Sequence, residues 1–314
     1  MSDLKVLVSD GLAAQGQEIF KNAGIEVVLD AVSAEDLLKV IGDYDALIVR
    51  SRTKVTAAVF EAAKGRLKVV GRAGIGVDNI DLEAAKKNGV VVVNSPTATT
   101  GAVAELALGM MLGLMRELPR ADATMKAGEW IKKELKGSEL FGKTLGVIGF
   151  GRIGAHTAKL ASAFGMSIIA YDPYLDGAQI KERGGEPVSL DDLYARADMI
   201  TLHIPLLDTT RSMLNAESFA KMKKGVWIVC AARGGVIDEA ALLDALNSGQ
   251  VAGAALDVFA AEPPGATDLV KHPKVCASPH IGAASKEAQV RAGIDISNEV
   301  TTALRGEELQ WRVA

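Results

Sequence analysis

At 314 residues with 49% hydrophobic content, the chain is long enough for two domains and too apolar for a disordered one. Its 35 Lys plus Arg against 39 Asp plus Glu leave a net charge of -4 without a basic run, which argues against a nucleic-acid partner; an anionic ligand must be captured by local cations and helix dipoles. No apolar run reaches the ~18 residues of a membrane span, MSDLKVLVSD carries no signal pattern, and Cys230 and Cys276 lack metal spacing, so buried reduced thiols, no metal, no membrane and a cytoplasmic location are expected.

In chain order, the first 95 residues alternate short apolar runs with helical patterns: KVLVSD, AAQGQEIFKNAG, EVVLD, SAEDLLKVIG, ALIVRS, TAAVFEAAKG, KVVGRAG, DLEAAKKNG and VVVNSP. Such alternation predicts a parallel sheet with helices on both faces. Arg50 ends ALIVR, Arg72 ends KVVGR, and Arg52 follows two residues after Arg50, so this domain aims guanidiniums from the C-terminal edge of its sheet; such forks suit a phosphate. After Pro96, residues 101–115 (GAVAELALGMMLGLM) are apolar on nearly every face of a helix, which predicts burial partly against another subunit and a homodimer.

A second alternating series follows from Leu145: LGVIGF, SIIAYD, DMITLHIP, VWIVCAA, AGAALDV and VCASPH. Residues 285–305 read as one helix, and LQWRVA is placed to return to the first domain as an edge strand. The expected fold class is α/β, with two Rossmann-like doubly wound parallel-sheet domains and a cleft between them. The first, substrate-binding domain is discontinuous and flavodoxin-like (residues 1–97 plus 285–314); the second (98–284) binds the nucleotide. Two adjacent crossings, near Pro96 and residues 282–284, make a hinge.

The most specific motif is LGVIGFGRIG followed by SIIAYD. Gly149 permits a tight strand-to-helix turn, Gly151 lets the backbone approach a pyrophosphate, and Gly154 allows the helix to pack on its strand. Phosphates then meet the free N–H groups and positive dipole end of the helix starting near Arg152. Asp172, eighteen residues after Gly154, suits both ribose hydroxyls and repels a 2′-phosphate, so NAD is expected and NADP is not.

Three polar residues stand just beyond successive strands of this domain: Arg233, Glu262 and His280. Parallel strands place their C-terminal ends on one edge, where the glycine turn also lies. Singly, each has a bland reading: a solvated arginine, a turn carboxylate before Pro263 and Pro264, a core histidine. Together on one edge they form the set for hydroxy-acid oxidation. Arg233 holds a carboxylate and polarises the C2 oxygen, His280 takes the hydroxyl proton, and Glu262 orients the ring and stabilises the imidazolium. Of the other histidines, only His203, in LHIP, shares that edge, and it reads as a cofactor-side structural residue.

The strings RSRTKVT, GRAGIGVDNID, GFGRIG, YDPY, CAARGGVIDE, AALDVFAAEPP and SPHIGAA, in this order, closely resemble the D-isomer-specific 2-hydroxyacid dehydrogenase family. The resemblance implies Arg233, Glu262 and His280 as catalytic residues. It implies cofactor contacts at Ile75, Arg152, Ile153, Asp172, Ile204, Ala231, Ala232, Arg233, Asp257 and the backbone from His280 through Gly282 to Ala283, with Asp257 near the nicotinamide amide; His203 and Pro205, on either side of Ile204, are further cofactor-side candidates. It further implies substrate contacts at Arg50, Ser51, Arg52, Arg72, Ala73 and Gly74, along with Arg233 and His280. The expected substrate is a small 2-hydroxy or 2-oxo acid, phosphorylated: 3-phospho-D-glycerate, oxidised to 3-phosphohydroxypyruvate at the entry to serine synthesis. A hydroxypyruvate or glyoxylate reductase and an NADH-sensing binding protein remain alternatives. Thr99 and Cys230 stand where the family usually has Asn, and Lys132 stands where relatives place an Arg. The chain ends at Ala314, so the C-terminal regulatory domain of longer relatives, and feedback through it, are expected to be absent.

Overall fold

The structure, a computed structural model, describes residues 4–314; the first three residues of the N-terminal stretch read above lie outside them. Contacts divide the chain into two units, one running to Thr99 and resuming over Ala283–Ala314, the other Thr100–Gly282. The sequence-based boundaries, at 97/98 and 284/285, lie two residues from these.

The first unit contains β1 (Lys5–Val8), α1 (Ala14–Asn22), β2 (Glu26–Leu29), α2 (Ala34–Val40), β3 (Ala46–Val49), α3 (Ala57–Ala62), β4 (Val69–Arg72), α4 (Leu82–Lys87) and β5 (Val91–Asn94). The strands are all parallel in the order β2-β1-β3-β4-β5, the flavodoxin-like arrangement, whose switch point lies between β1 and β3. Alternate strand residues feed two cores. Leu7, Leu47, Val70 and Val92 pack on one face; Val6, Val8, Ile48, Val69 and Val93 pack on the other. Fully buried strands of this kind read as continuous apolar runs, which is why ALIV and VVV carry no polar alternation.

The second unit contains α5 (Thr100–Met115), α6 (Leu118–Lys126), β6 (Thr144–Ile148), α7 (Arg152–Ala163), β7 (Ser167–Tyr171), α8 (Gly177–Glu182), β8 (Glu186–Pro187), α9 (Leu190–Arg196), β9 (Met199–Leu202), α10 (Ala216–Lys221), β10 (Val226–Cys230), α11 (Glu239–Ser248), β11 (Val251–Leu256), α12 (Asp268–Lys271) and β12 (Val275–Ala277). Its seven parallel strands run β12-β11-β10-β9-β6-β7-β8, so the order reverses between β6 and β9. One side of α5, with Ala107, Met110, Met111 and Leu114, closes the core over Leu145, Val147, Ile168 and Val229. Leu108 and Leu112, half-buried, pack at the margin of the same core, and Gly109 is exposed.

The chain then returns to the first unit as α13 (Lys286–Arg305), capped by Ser285, whose side chain accepts from the Ala288 amide, and ended by the left-handed Gly306. The tail is less of a strand than expected. It meets β5 through one antiparallel bridge, Val93 to Arg312, with the Val313 and Ala314 amides donating to the Val92 carbonyl, the Val92 amide to the Ala314 carbonyl and the Asn94 amide to the Trp311 carbonyl. The cysteine expectation also needs correction: Cys230 is buried, but Cys276 on the outermost strand β12 is only half-buried; both are free thiols.

Candidate active site

Register fixes what shares the C-terminal edge of the second sheet. Ile148 pairs with both Tyr171 and Leu202, Leu202 pairs with Cys230, Cys230 with Leu256, and Leu256 with Ala277. The next residue on each strand, Gly149, Asp172, His203, Ala231, Asp257 and Ser278, therefore forms one row. Gly149 has φ 86°, and a Cβ there would sit 2.6 Å from the His203 carbonyl oxygen; a Cβ on Gly154 would overlap the Gly149 carbonyl oxygen. At Gly151, by contrast, a Cβ would meet nothing within 4 Å.

The three glycines thus divide the work as read from sequence: two relieve backbone crowding, and the third borders open space at the N-terminus of α7. Gly151 is the N-cap of α7 and no side chain caps it, so the first helical amides, including those of Arg152 and Ile153, stay open to an anion. Asp172 accepts from the amides of Phe150 at 2.8 Å and Tyr174 at 2.9 Å, which points its carboxylate at the glycine turn and leaves lone pairs for two hydroxyls. An open cradle, uncapped helix amides and a strand-end carboxylate suit a dinucleotide with a free ribose 2′-hydroxyl.

His280 Nδ1 lies 2.7 Å from Glu262 Oε2, although the two are eighteen residues apart. The carboxylate holds the proton on Nδ1 and leaves Nε2 as the available base. The imidazole is carried in a left-handed backbone, φ 52°, a conformation that persists only where surroundings enforce it. Asp257 does the enforcing. Buried at 1% exposure, it accepts from Ser278 Oγ at 2.5 Å and from the amides of Ile281 at 2.9 Å and Gly282 at 2.8 Å, while its carbonyl accepts from the His280 amide at 2.8 Å. The residue expected at the nicotinamide amide therefore already clamps the loop that presents His280, and Ala283, expected beside the cofactor with Gly282, belongs to the first unit.

Arg233 follows the buried Cys230. Burial pushes that thiol up to about 11, and the amides of Ala232 and Arg233 donate to its sulfur, so it remains a neutral thiol that shapes the turn into Arg233. The Arg233 guanidinium donates to the Ala232 carbonyl at 2.7 Å. Thr99 is buried. His203 has Nε2 3.1 Å from Thr201 Oγ1 and a buried Nδ1 with no hydrogen-bond partner among the described residues, and burial lowers its pKa from 6.5 to about 4. It is neutral at physiological pH. Ile204 is buried next to it, and Pro205 is exposed.

In the first unit, Asp10 organises the anion-binding candidates, a role sequence reasoning missed although the acid closes the KVLVSD run. Its carboxylate, with 3% of the side chain exposed, accepts from the amides of Arg50 at 2.8 Å and Thr53 at 3.0 Å and from Thr53 Oγ1 at 2.6 Å. Burial pulls this carboxyl up, but the hydrogen bonds from Thr53, Arg50 and Arg52 outweigh it and hold the group below its ordinary range. Arg52 Nε donates to Asp10 at 3.0 Å and its guanidinium to the Ser9 carbonyl, so it braces the loop while 57% of the side chain stays exposed.

Arg50 and the exposed Ser51 stand at the switch point, where Arg50, Asp10, Leu12, Ala73, Lys286 and Gln289 line a cavity of about 470 Å³. Arg72 ends β4 with its guanidinium folded over Gly74, whose φ of 148° favours glycine. Asn94 fixes the same loop by donating to the Ile75 carbonyl at 2.7 Å. Among the described residues no cluster could hold a metal ion, and no helix is long and apolar enough to cross a membrane.

Comparison with known proteins agrees with this geometry. Residues 108–282 match the family described as D-isomer specific 2-hydroxyacid dehydrogenase, NAD binding domain. The D-3-phosphoglycerate dehydrogenase of Methanocaldococcus jannaschii is 49% identical over 305 residues, 97% of this chain and 58% of that protein. The chloroplastic D-3-phosphoglycerate dehydrogenase 2 of Arabidopsis thaliana is 47% identical over 304 residues, 96% of this chain and 49% of that protein. The chain thus spans about half the length of the curated relatives it matches. A glyoxylate reductase structure from Paecilomyes thermophila superposes with a TM-score of 0.91 at 32% identity, covering 100% of this chain and 99% of that one. The TT0316 protein from Thermus thermophilus gives 0.90 at 33% identity, covering 99% and 100%.

Proposed function

Since this chain belongs to the D-isomer specific 2-hydroxyacid dehydrogenase family and carries its NAD-binding domain, we propose that it oxidises 3-phospho-D-glycerate to 3-phosphohydroxypyruvate, the first step of serine biosynthesis. The observation that carries the reaction class is the 2.7 Å contact of His280 Nδ1 with Glu262 Oε2, in a unit whose sheet edge also presents the glycine turn and Asp172. His280 Nε2 takes the C2 hydroxyl proton, and Glu262 stabilises the imidazolium that forms. Arg233 holds the substrate carboxylate and polarises the C2 oxygen with its fork of donors. The turn at Gly149, Gly151 and Gly154, the α7 N-terminus and Asp172 hold NAD, which supplies the two-electron acceptor when bound.

The phosphorylated substrate is supported by Arg50 and Arg72 at the strand ends of the first unit, with Ser51, Ala73 and Gly74 beside them and Arg52 bracing the same loop. The identity of the matched relatives, 47–49%, favours the same substrate. Assembly as a homodimer is supported by the only partly buried Leu108 and Leu112 of α5 and by Leu118, Met125 and Trp130, which are 54%, 56% and 76% exposed just after it. NADH formation with 3-phosphoglycerate beside glycerate, lactate and 2-hydroxyglutarate, for wild type and Arg72→Ala, tests the reading. The expected result is turnover of 3-phosphoglycerate above the others, with the Arg72→Ala loss confined to it. Equal rates on glycerate, or faster reduction of hydroxypyruvate or glyoxylate, would overturn the substrate, and no turnover of any 2-hydroxy acid would overturn the enzyme.

A further inference from the structure

Glu239 is the first residue of α11, six positions after Arg233. An acid at this place ordinarily serves the helix dipole. Here the capping role is already filled: the Asp238 side chain accepts from the amides of Ala240 and Ala241. The Glu239 carboxylate turns out of the helix instead, and its Oε1 accepts from the amide of Ala260 at 2.6 Å. The preceding amide, Phe259, donates to Glu262 Oε1 at 3.1 Å, while the other oxygen of Glu262 meets His280. Two successive amides of one turn are therefore each bound by a carboxylate, one of them half of the acid–base pair. The same turn also touches the arginine segment, because a Cβ on Gly234 would overlap the Phe259 carbonyl oxygen; only glycine lets the chain after Arg233 lie on it. The Phe259 side chain, 6% exposed, anchors the turn in the core.

We propose that Glu239 is a positioning residue: by clamping the turn at Phe259 and Ala260 it holds Glu262 against His280 and seats the backbone that carries Arg233. The proposal rests on the acid–base reading above, and it adds a residue that touches no reacting atom. A charge-assisted bond to a backbone amide is strong enough to hold a turn of this size. Its loss lets Glu262 leave His280, whose proton then redistributes between the two ring nitrogens, because the partner of Nδ1 decides the tautomer.

The test compares Glu239→Gln and Glu239→Ala, each in wild-type and Glu262→Gln backgrounds, by kcat, KM, NADH affinity and the ring ¹⁵N shifts of His280. The amide of Gln keeps an oxygen for the Ala260 N–H, so Glu239→Gln is expected to stay within about threefold of wild type, whereas Glu239→Ala lowers kcat about 10- to 100-fold with NADH affinity kept. In the Glu262→Gln background, removing Glu239 adds less than about threefold, because residues acting through one contact are non-additive. The His280 shifts move from an Nδ1–H pattern toward a mixture in Glu239→Ala alone. Full multiplication of the two losses, an unchanged kcat in Glu239→Ala, or unaltered ¹⁵N shifts would overturn the clamp. If the wild type turns over no 2-hydroxy acid, the enzyme reading fails, and the ¹⁵N shifts still decide whether Glu239 holds the pair.

Discussion

His203 offers the sharpest quantitative test, because it shares the sheet edge with the proposed base yet sits in the opposite electrostatic situation. Burial lowers its pKa from 6.5 to about 4, and among the described residues its Nδ1 has no partner that would stabilise a second proton. Above pH 6.5 the ring is neutral in both folded and unfolded chains and has no effect on the pH dependence of stability. As the pH falls below 6.5 the unfolded chain takes up a proton that the folded protein refuses until about pH 4, so stability declines through this window and levels off below it. At ~1.4 kcal/mol per pH unit the interval between 6.5 and about 4 amounts to about 3 kcal/mol. Denaturant unfolding of wild type and His203→Asn from pH 7.5 to pH 4 isolates the effect, since carboxylates and the other histidines contribute equally to both. The expected outcome is that the stability of wild type relative to the variant falls by about 3 kcal/mol across the series, with no change in the difference above pH 7. Parallel curves would show that His203 is not held neutral, and would reopen it as a competitor to His280 for the role of base.

Three further outcomes follow from the site. His280→Ala is expected to lower kcat by about 10² to 10⁴-fold with NADH affinity intact, measured by steady-state rates and fluorescence titration; retained turnover would mean another base. Asp172→Ala should narrow the preference for NAD over NADP by removing the strand-end carboxylate, read from kcat/KM with each cofactor, and an unchanged ratio would contradict the ribose assignment. Gly154→Ala forces a methyl into the Gly149 carbonyl oxygen, a backbone atom that cannot swing aside, so a stability loss of at least about 1–3 kcal/mol and weaker NADH binding are expected in thermal unfolding with and without NADH. A normal melting temperature would show that α7 has room to shift.

Much of the architecture was legible because it rests on short-range chemistry. Runs such as ALIV and VVVN, the helical patterns between them, the Ser285 and Gly306 ends of α13, and the glycines of the nucleotide turn each announce a local backbone state through periodicity, capping or the lack of a Cβ. α6 was missed although Pro119 in its first turn, Lys126 in its last and the left-handed Gly128 beyond it are such signals; only the N-cap is silent, since Glu117 has a left-handed backbone and caps nothing with its side chain. Partner choice lay out of reach for a different reason. That Glu262 meets His280, that Asp257 clamps the His280 loop, that Asp10 draws in Arg52 and that Glu239 grips Ala260 are all decided by which strands are neighbours and in what register. The residue types and the sheet edge follow from the linear chain, since parallel strands of known direction end on one side. The pairings among them follow only from the tertiary structure, since a hydrogen bond depends on ångström distances between segments that periodicity and propensity treat as independent.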